Sequence, residues 1–317
     1  MQVIGAEAVR RALPYAALIP ALRAMFAEGC DAPPRHHHAL PGGGSLLLMP
    51  AWTGARYLGL KAVTVHPGNA ARGEPALHAT YLLCEGASGR PLALIDGEEL
   101  TARRTAAASA LAASFLARAD AARLLVVGAG RVAAEIAFAY RAVRPIRRVE
   151  VWARDPARAG RLAAALAGSG FEAAPVPDLE RAARAADIVS CATLATMPLV
   201  RGAWLAEGTH LDLIGGFTPA MREADDEAVR RSRIYVDTEV ALREAGDLAQ
   251  PVAAGLIDPA AVAGTLADLC RGVVQGRGSD REVTLFKSVG TALEDLAAAI
   301  LVHESTADPG DPSCDPP

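Results

Sequence analysis

An apolar run ends on two glycines at Leu124-Leu125-Val126-Val127-Gly128-Ala129-Gly130, and an alanine-rich helical pattern follows over residues 131–143. This order of strand, glycine turn and helix constrains the chain more than any other feature. Two glycines allow a tight turn and the close approach of a pyrophosphate. The small Ala133 at the third position lets helix and strand pack closely. The helix N-terminus offers unpaired N–H groups to an anion. Gly128, Ala129, Gly130, Arg131 and Val132 are therefore the expected dinucleotide-binding turn. Further apolar strands follow in RRVEVWAR, EAAPV, DIVSCAT, THLDLIGG and RIYVD, with helical patterns between them, the first over residues 155–167. Such alternation over roughly 170 residues predicts an α/β fold, a Rossmann-type doubly wound parallel sheet.

The dinucleotide can be specified further. An NAD site places an acid at the end of the second strand to hold the ribose 2′-hydroxyl. Here Glu150 lies inside that strand, too early for the ribose, and the strand ends on Arg154 with Arg158 one turn beyond. Guanidinium groups suit a 2′-phosphate. The expectation is NADP(H) in preference to NAD(H).

The 317 residues exceed what one compact core usually holds. Residues 6–28 show helical spacing interrupted at Pro14. Short strands follow in SLLLMPAW, YLGLKAVTVHP, ALHATYLLCEG and PLALIDG, with GASGR as a hairpin turn, and Glu99 to Arg118 forms an alanine-rich helix. A last helix, GTALEDLAAAILVHES, is expected to pack back on the first domain and make it discontinuous. The boundaries read as 1–118 with 291–304 for the first domain and 119–290 for the Rossmann domain. The Pro- and Asp-rich residues 305–317 are expected to be a disordered tail.

Several classes are excluded at this level. The net charge of −4 argues against a nucleic-acid partner. No run of 18 apolar residues predicts a membrane span, and the N-terminal stretch lacks the pattern of a secretory signal. The five scattered cysteines have no CxxC spacing and read as reduced thiols of a cytoplasmic protein. His36, His37 and His38 sit between Pro and Gly residues and read as a loop with no metal role.

Arginine dominates the 32 basic residues, and only Lys61 and Lys287 are lysines. Lys61 leaves an apolar strand, and Arg104 lies on an alanine-rich helix beside Arg103. Successive helical residues point about 100° apart, so only one of these two arginines faces a given site. Tyr57 and Lys61 have the Tyr-x-x-x-K spacing of short-chain dehydrogenases, but they precede the Rossmann segment, and the match is set aside.

LGLKAV, HPGN, LALIDGEELTARRTAAASALAASFLAR, LLVVGAG and EVTLFKSVGTALEDLAAA together resemble the ornithine cyclodeaminase/mu-crystallin family, over about residues 30–303. The resemblance implies a homodimer, with a first α+β domain for substrate binding and dimerisation joined to a Rossmann domain. It implies that Arg35, Lys61 and Arg104 hold a substrate carboxylate near the nicotinamide, with Thr193, Gly215 and Ser288 on the cofactor side. Family members that cyclise ornithine carry an aspartate after the strand that here ends in Gly-Gly, and a lysine four residues later. Phe217 and Met221 stand at those places. GGFTPAMREADDE instead resembles the branch that reduces cyclic imino acids, Δ1-pyrroline-2-carboxylate and Δ1-piperideine-2-carboxylate. Lys61 is the first expected proton donor and Thr218 the second. Ornithine cyclodeamination, alanine dehydrogenation and a crystallin-like binding role are the alternatives.

Overall fold

A computed structural model describes residues 1–75 and 77–306. Its described residues divide into two compact units, 1–104 with 291–306 and 105–290.

The first unit opens with β1 (Gln2–Ile4), α1 (Ala6–Ala12) and α2 (Tyr15–Glu28). The strands β2 (His36–Leu40), β3 (Gly44–Thr53), β4 (Tyr57–Val65), β5 (Leu77–Glu85) and β6 (Pro91–Asp96) follow, and then α3 (Gly97–Leu116). They form a six-stranded sheet in the order β1-β6-β5-β4-β3-β2, antiparallel except where β1 joins β6. The histidine triplet corrects the sequence reading. It is the edge strand β2, with His36 paired to Leu48 and His38 to Leu46, and no loop. The neighbouring Pro and Gly residues punctuate this short strand without displacing it.

The second unit contains β7 (Arg123–Val127), α4 (Arg131–Arg141), β8 (Arg148–Trp152), α5 (Pro156–Gly168), β9 (Glu172–Pro175), α6 (Leu179–Ala185) and β10 (Ile188–Cys191). It continues through β11 (His210–Leu213), α7 (Asp226–Arg231), β12 (Arg233–Val236), α8 (Ala241–Glu244), α9 (Gly246–Ala253), β13 (Val262–Thr265), α10 (Leu266–Arg271) and β14 (Thr284–Lys287). The eight strands are all parallel, in the order β13-β12-β14-β11-β10-β7-β8-β9. Helices on both faces bury Leu124 to Val127, Val149, Val151, Val189, Leu211, Leu213 and Leu285, which is why these strands are apolar without alternation. β13 and β14 were not foreseen. In β14 a buried lysine and threonine break the apolar run, although the strand lies between β11 and β12.

The chain then returns to the first unit as α11 (Ala292–Thr306), which packs on α2 and on β3, β4, β5 and β6. The helix includes Ser305 and Thr306, where the tail was expected to begin; 307–317, with Cys314, lie outside the described residues. The contact boundary falls at Arg104 within α3, earlier than the expected boundary at 118.

The two faces of the first sheet differ. Lys61, directly opposite Met49 and Tyr81, points toward α11 and is buried with Gly59 and Val63. By strand alternation, Leu46, Leu48, Pro50, Trp52, Leu60 and Leu82 occupy the other face, where each stays half-buried. Leu58 on that face is 37% exposed.

Candidate active site

The second unit has a cavity of about 310 Å³ at the C-terminal ends of β7, β8 and β10. Gly128, Ala129, Gly130, Arg154, Arg158 and Thr193 are brought together in its wall, with Trp152 and Asp155. Gly128 has φ +124, and a Cβ there would stand 2.5 Å from the Ala192 carbonyl oxygen, so the turn tolerates only glycine. Nothing lies within 4 Å of a Cβ built on Gly130, which caps α4 and leaves its first N–H groups open to an anion. Asp155 is the acid nearest the end of β8, but its Oδ1 accepts from the N–H groups of Ala157 and Arg158 and caps α5. Arg154 and Arg158 are exposed, and the Arg158 Nη2 donates to the Ala129 carbonyl at 3.3 Å. This wall can hold an anion-bearing dinucleotide. Arg131, Val132, Gly215 and Ser288 are not part of it.

Thr193, Gly215 and Ser288 follow β10, β11 and β14. A residue missed in the sequence connects the first two. Glu223 is wholly buried; Oε1 accepts from the Thr193 N–H and Oγ1, both at 2.7 Å, and Oε2 from the Gly215 N–H at 2.7 Å. A Cβ on Gly215 would meet the Thr193 carbonyl oxygen at 1.9 Å, so glycine is required for the approach. Burial pushes the Glu223 carboxyl up to about 7, against the pull of Lys287. Lys287 explains itself here: it is wholly buried, with Nζ 3.2 Å from the Asp247 Oδ2. Asp247 Oδ1 in turn accepts from the N–H groups of Glu223 and Ala224. Asp237 accepts from the N–H groups of Val289 and Gly290, just beyond Ser288. The Ser288 N–H donates to the Leu213 carbonyl at 3.2 Å. Thr218 lies half-buried in the loop after β11, where its carbonyl accepts from the N–H groups of Met221 and Gly246.

In the first unit, Lys61 and Arg104 meet. Lys61 is 2% exposed, and its Nζ donates to Asp295 at 2.8 Å and to the Thr101 Oγ1 at 3.4 Å. The Arg104 Nε lies 2.8 Å from the same Asp295, and its Nη1 bonds Glu294. Burial lowers the Lys61 pKa to about 8; Asp295 opposes this and Arg104 adds to it. Arg103 turns elsewhere, donating to the Leu13 carbonyl and stacking over the Tyr15 ring. Arg35, half-buried, directly precedes β2, whose next register position would face Met49, itself paired with Lys61. Tyr81 is 1% exposed, and its hydroxyl has no hydrogen-bond partner; a Cβ on Gly59 would stand 1.8 Å from it. The Tyr57 hydroxyl donates to Glu304 at 3.3 Å. Glu294 and Asp295 were overlooked, although two adjacent acids in the apolar stretch ALEDLAAAI signal paired burial.

The sequence pattern of the ornithine cyclodeaminase/mu-crystallin family matches residues 4–310. The chain belongs to that family. It is 45% identical over 261 residues to the Δ1-pyrroline-2-carboxylate reductase of Paracoccus denitrificans, covering 82% of this chain and 83% of the relative. It is similar to the solved structure of the Thermococcus litoralis Δ1-pyrroline-2-carboxylate reductase with NADH and L-proline. The TM-score is 0.92, with 34% identity, covering 96% of this chain and 97% of that one. An archaeal alanine dehydrogenase dimer with bound NAD superposes with a TM-score of 0.90 at 30% identity, covering 96% of this chain and 95% of its own. Among the described residues no group of three or more His, Cys, Asp or Glu could hold a metal ion.

Glu223→Ala leaves three buried or half-buried donors without their acceptor. The expected loss is about 1–3 kcal/mol of stability, read by denaturant unfolding, with Glu223→Gln milder; an unchanged midpoint would show that the two loops do not depend on it.

Proposed function

We propose that this chain reduces cyclic imino acids with NAD(P)H, converting Δ1-pyrroline-2-carboxylate to L-proline and Δ1-piperideine-2-carboxylate to L-pipecolate. The observation that carries the reading is the meeting of two buried cations, Lys61 and Arg104, in a family member with pyrroline-2-carboxylate reductases among its relatives. Lys61, Arg104 and Arg35 bind the substrate carboxylate, which fixes the imine carbon and contributes several kcal/mol toward the barrier by positioning. Lys61 delivers the proton to the imine nitrogen, since a lysine with a pKa of about 8 is charged at neutral pH and able to give up its proton. Thr218 is the second candidate donor.

Gly128, Ala129, Gly130, Arg131 and Val132 hold the cofactor pyrophosphate, with Thr193, Gly215 and Ser288 toward the nicotinamide. Held by these residues, a reduced nicotinamide would supply the hydride for the imine carbon. NADP(H) is preferred over NAD(H): Arg154 and Arg158 lie in the cavity wall, and Asp155 is occupied as a helix cap. The relatives solved with NADH and NAD make this preference the specific point to test.

The half-buried Leu46, Leu48, Pro50, Trp52, Leu60 and Leu82 support a homodimer formed by this sheet face against a second copy. Cys30, Cys84 and Cys191 are free thiols, which fits the cytoplasm as the working compartment. No helix among the described residues is long and apolar enough to cross a membrane.

The reductase reading predicts NADPH oxidation that depends on pyrroline-2-carboxylate. Activity confined to pyruvate plus ammonia, or ornithine-dependent ammonia release, would replace it with one of the alternatives. In the same assay, Arg154→Ala is expected to raise KM for NADPH at least about tenfold, a loss of one charge-assisted contact, with little change for NADH. Equal effects on both would remove the 2′-phosphate role. Leu60→Glu is expected to yield monomers in sedimentation equilibrium, and a dimer unchanged by it would move the interface elsewhere.

A further inference from the structure

Among the described residues, Asp295 is the carboxylate that touches both Lys61 and Arg104. Its carboxylate lies 2.7 Å from the Lys61 Nζ and 2.8 Å from the Arg104 Nε, and it is wholly buried. We propose that Asp295 is a positioning residue for proton delivery, holding the Lys61 ammonium in place and charged while sharing its own charge with Arg104. The inference rests on the reductase reading and deepens it.

The sharing matters to the chemistry. In the reaction, the C=N bond gains a hydride at carbon from the reduced nicotinamide and a proton at nitrogen from the Lys61 Nζ. The lysine is left neutral and is recharged by a proton from water. A carboxylate paired with lysine alone would then be a buried, uncompensated charge, which is strongly destabilising. Asp295 keeps its contact with Arg104, so the proton leaves without stranding the anion. Glu294 takes up the other side of the guanidinium, which keeps the pair of cations and pair of acids formally neutral before turnover. Two more groups face this cluster. Thr101 on α3 accepts from the Lys61 Nζ, and Tyr81, directly across from Lys61 on β5, presents its unpartnered hydroxyl. Asp295 adds to the burial that pushes the Tyr81 phenol upward, so the hydroxyl stays protonated and does not compete with Lys61 in the neutral range.

The direction of the pH effect follows. Lys61 acts in its protonated form, so kcat/KM falls as pH rises through the Lys61 pKa. Burial lowers that pKa to about 8, and Asp295 holds it up against burial and Arg104. Loss of the Asp295 charge therefore moves the fall in activity to lower pH.

The experiment begins with imine-dependent NADPH oxidation by the wild type. Its absence overturns the reductase reading and, with it, proton delivery to an imine. With that activity in hand, the alkaline limb of kcat/KM is expected to move down by about 1–3 pH units in Asp295→Asn, the usual effect of an opposite charge at this range. Asp295→Glu, which keeps the charge, is expected to retain the wild-type limb. A limb that stays in place in a folded Asp295→Asn enzyme overturns the inference and leaves the reductase reading standing.

A second measurement needs no variant at Asp295. The chain has two lysines, Lys61 and Lys287, so lysine-selective 13C labelling gives two Cε resonances, and Lys61→Arg assigns them. A Lys61 midpoint near 8 in the wild type supports the pair. A midpoint near 5–6, as for a buried lysine without a compensating anion, overturns it even if Asp295→Asn does not fold.

Discussion

A charge removed from water has to be matched at close range, and the first unit is organised around that demand. Lys61 comes from β4, Arg104 from α3, and Glu294 and Asp295 from α11, which the chain reaches only after completing the whole second unit. Leaving either cation unmatched would cost several kcal/mol. The discontinuity of this unit therefore has an electrostatic reason as well as a packing one. Helix α11 brings apolar side chains to cover β3 to β6, and it also brings the two carboxylates that allow Lys61 and Arg104 to be buried beside that sheet.

The same rule shapes the second unit with different residues. Its parallel sheet is apolar on both faces, yet Lys287 ends β14, Asp237 directly follows β12, Glu223 lies in the loop before α7 and Asp247 on α9, all of them buried. Each carboxylate accepts backbone N–H groups from the loops beyond the strands, so the cluster fixes the loops rather than merely neutralising a lysine. The glycines act beside it by removing side chains. Gly215 lets the β11 loop meet the main chain of Thr193, and Gly128 lets the β7 turn meet that of Ala192. Loops placed by buried acids and by missing Cβ atoms give the cavity a fixed wall, and Arg154 and Arg158 add its positive charge.

Legibility in the sequence followed how local each signal was. The β7 turn, the second strand and the sequence of parallel strands could be read because their apolar runs and glycine punctuation lie within a few residues. β2 could not, because three exposed histidines carry no apolar alternation and its strand character comes from pairing with β3. β14 was hidden by a lysine that only a distant aspartate makes tolerable. Lys61, Arg104 and Arg35 were reached through a family resemblance, since composition gives a lone cation on a strand or helix no distinguishing mark. Their partners Glu294 and Asp295 stand in the apolar stretch ALEDLAAAI, where adjacent acids signal paired burial, but which cations they meet is set only by the fold.

By itself, then, the sequence determined the parallel α/β unit, its glycine turn and the separation of Arg154 and Arg158 from any ribose-binding acid within the second strand, all consequences of short-range periodicity and backbone freedom. The tertiary structure alone decided which charges share a site. Lys61 and Asp295 are separated by 234 positions, and Lys287 and Asp247 by 40. Coulomb attraction and desolvation depend on distance in space, and only the folded chain sets that distance.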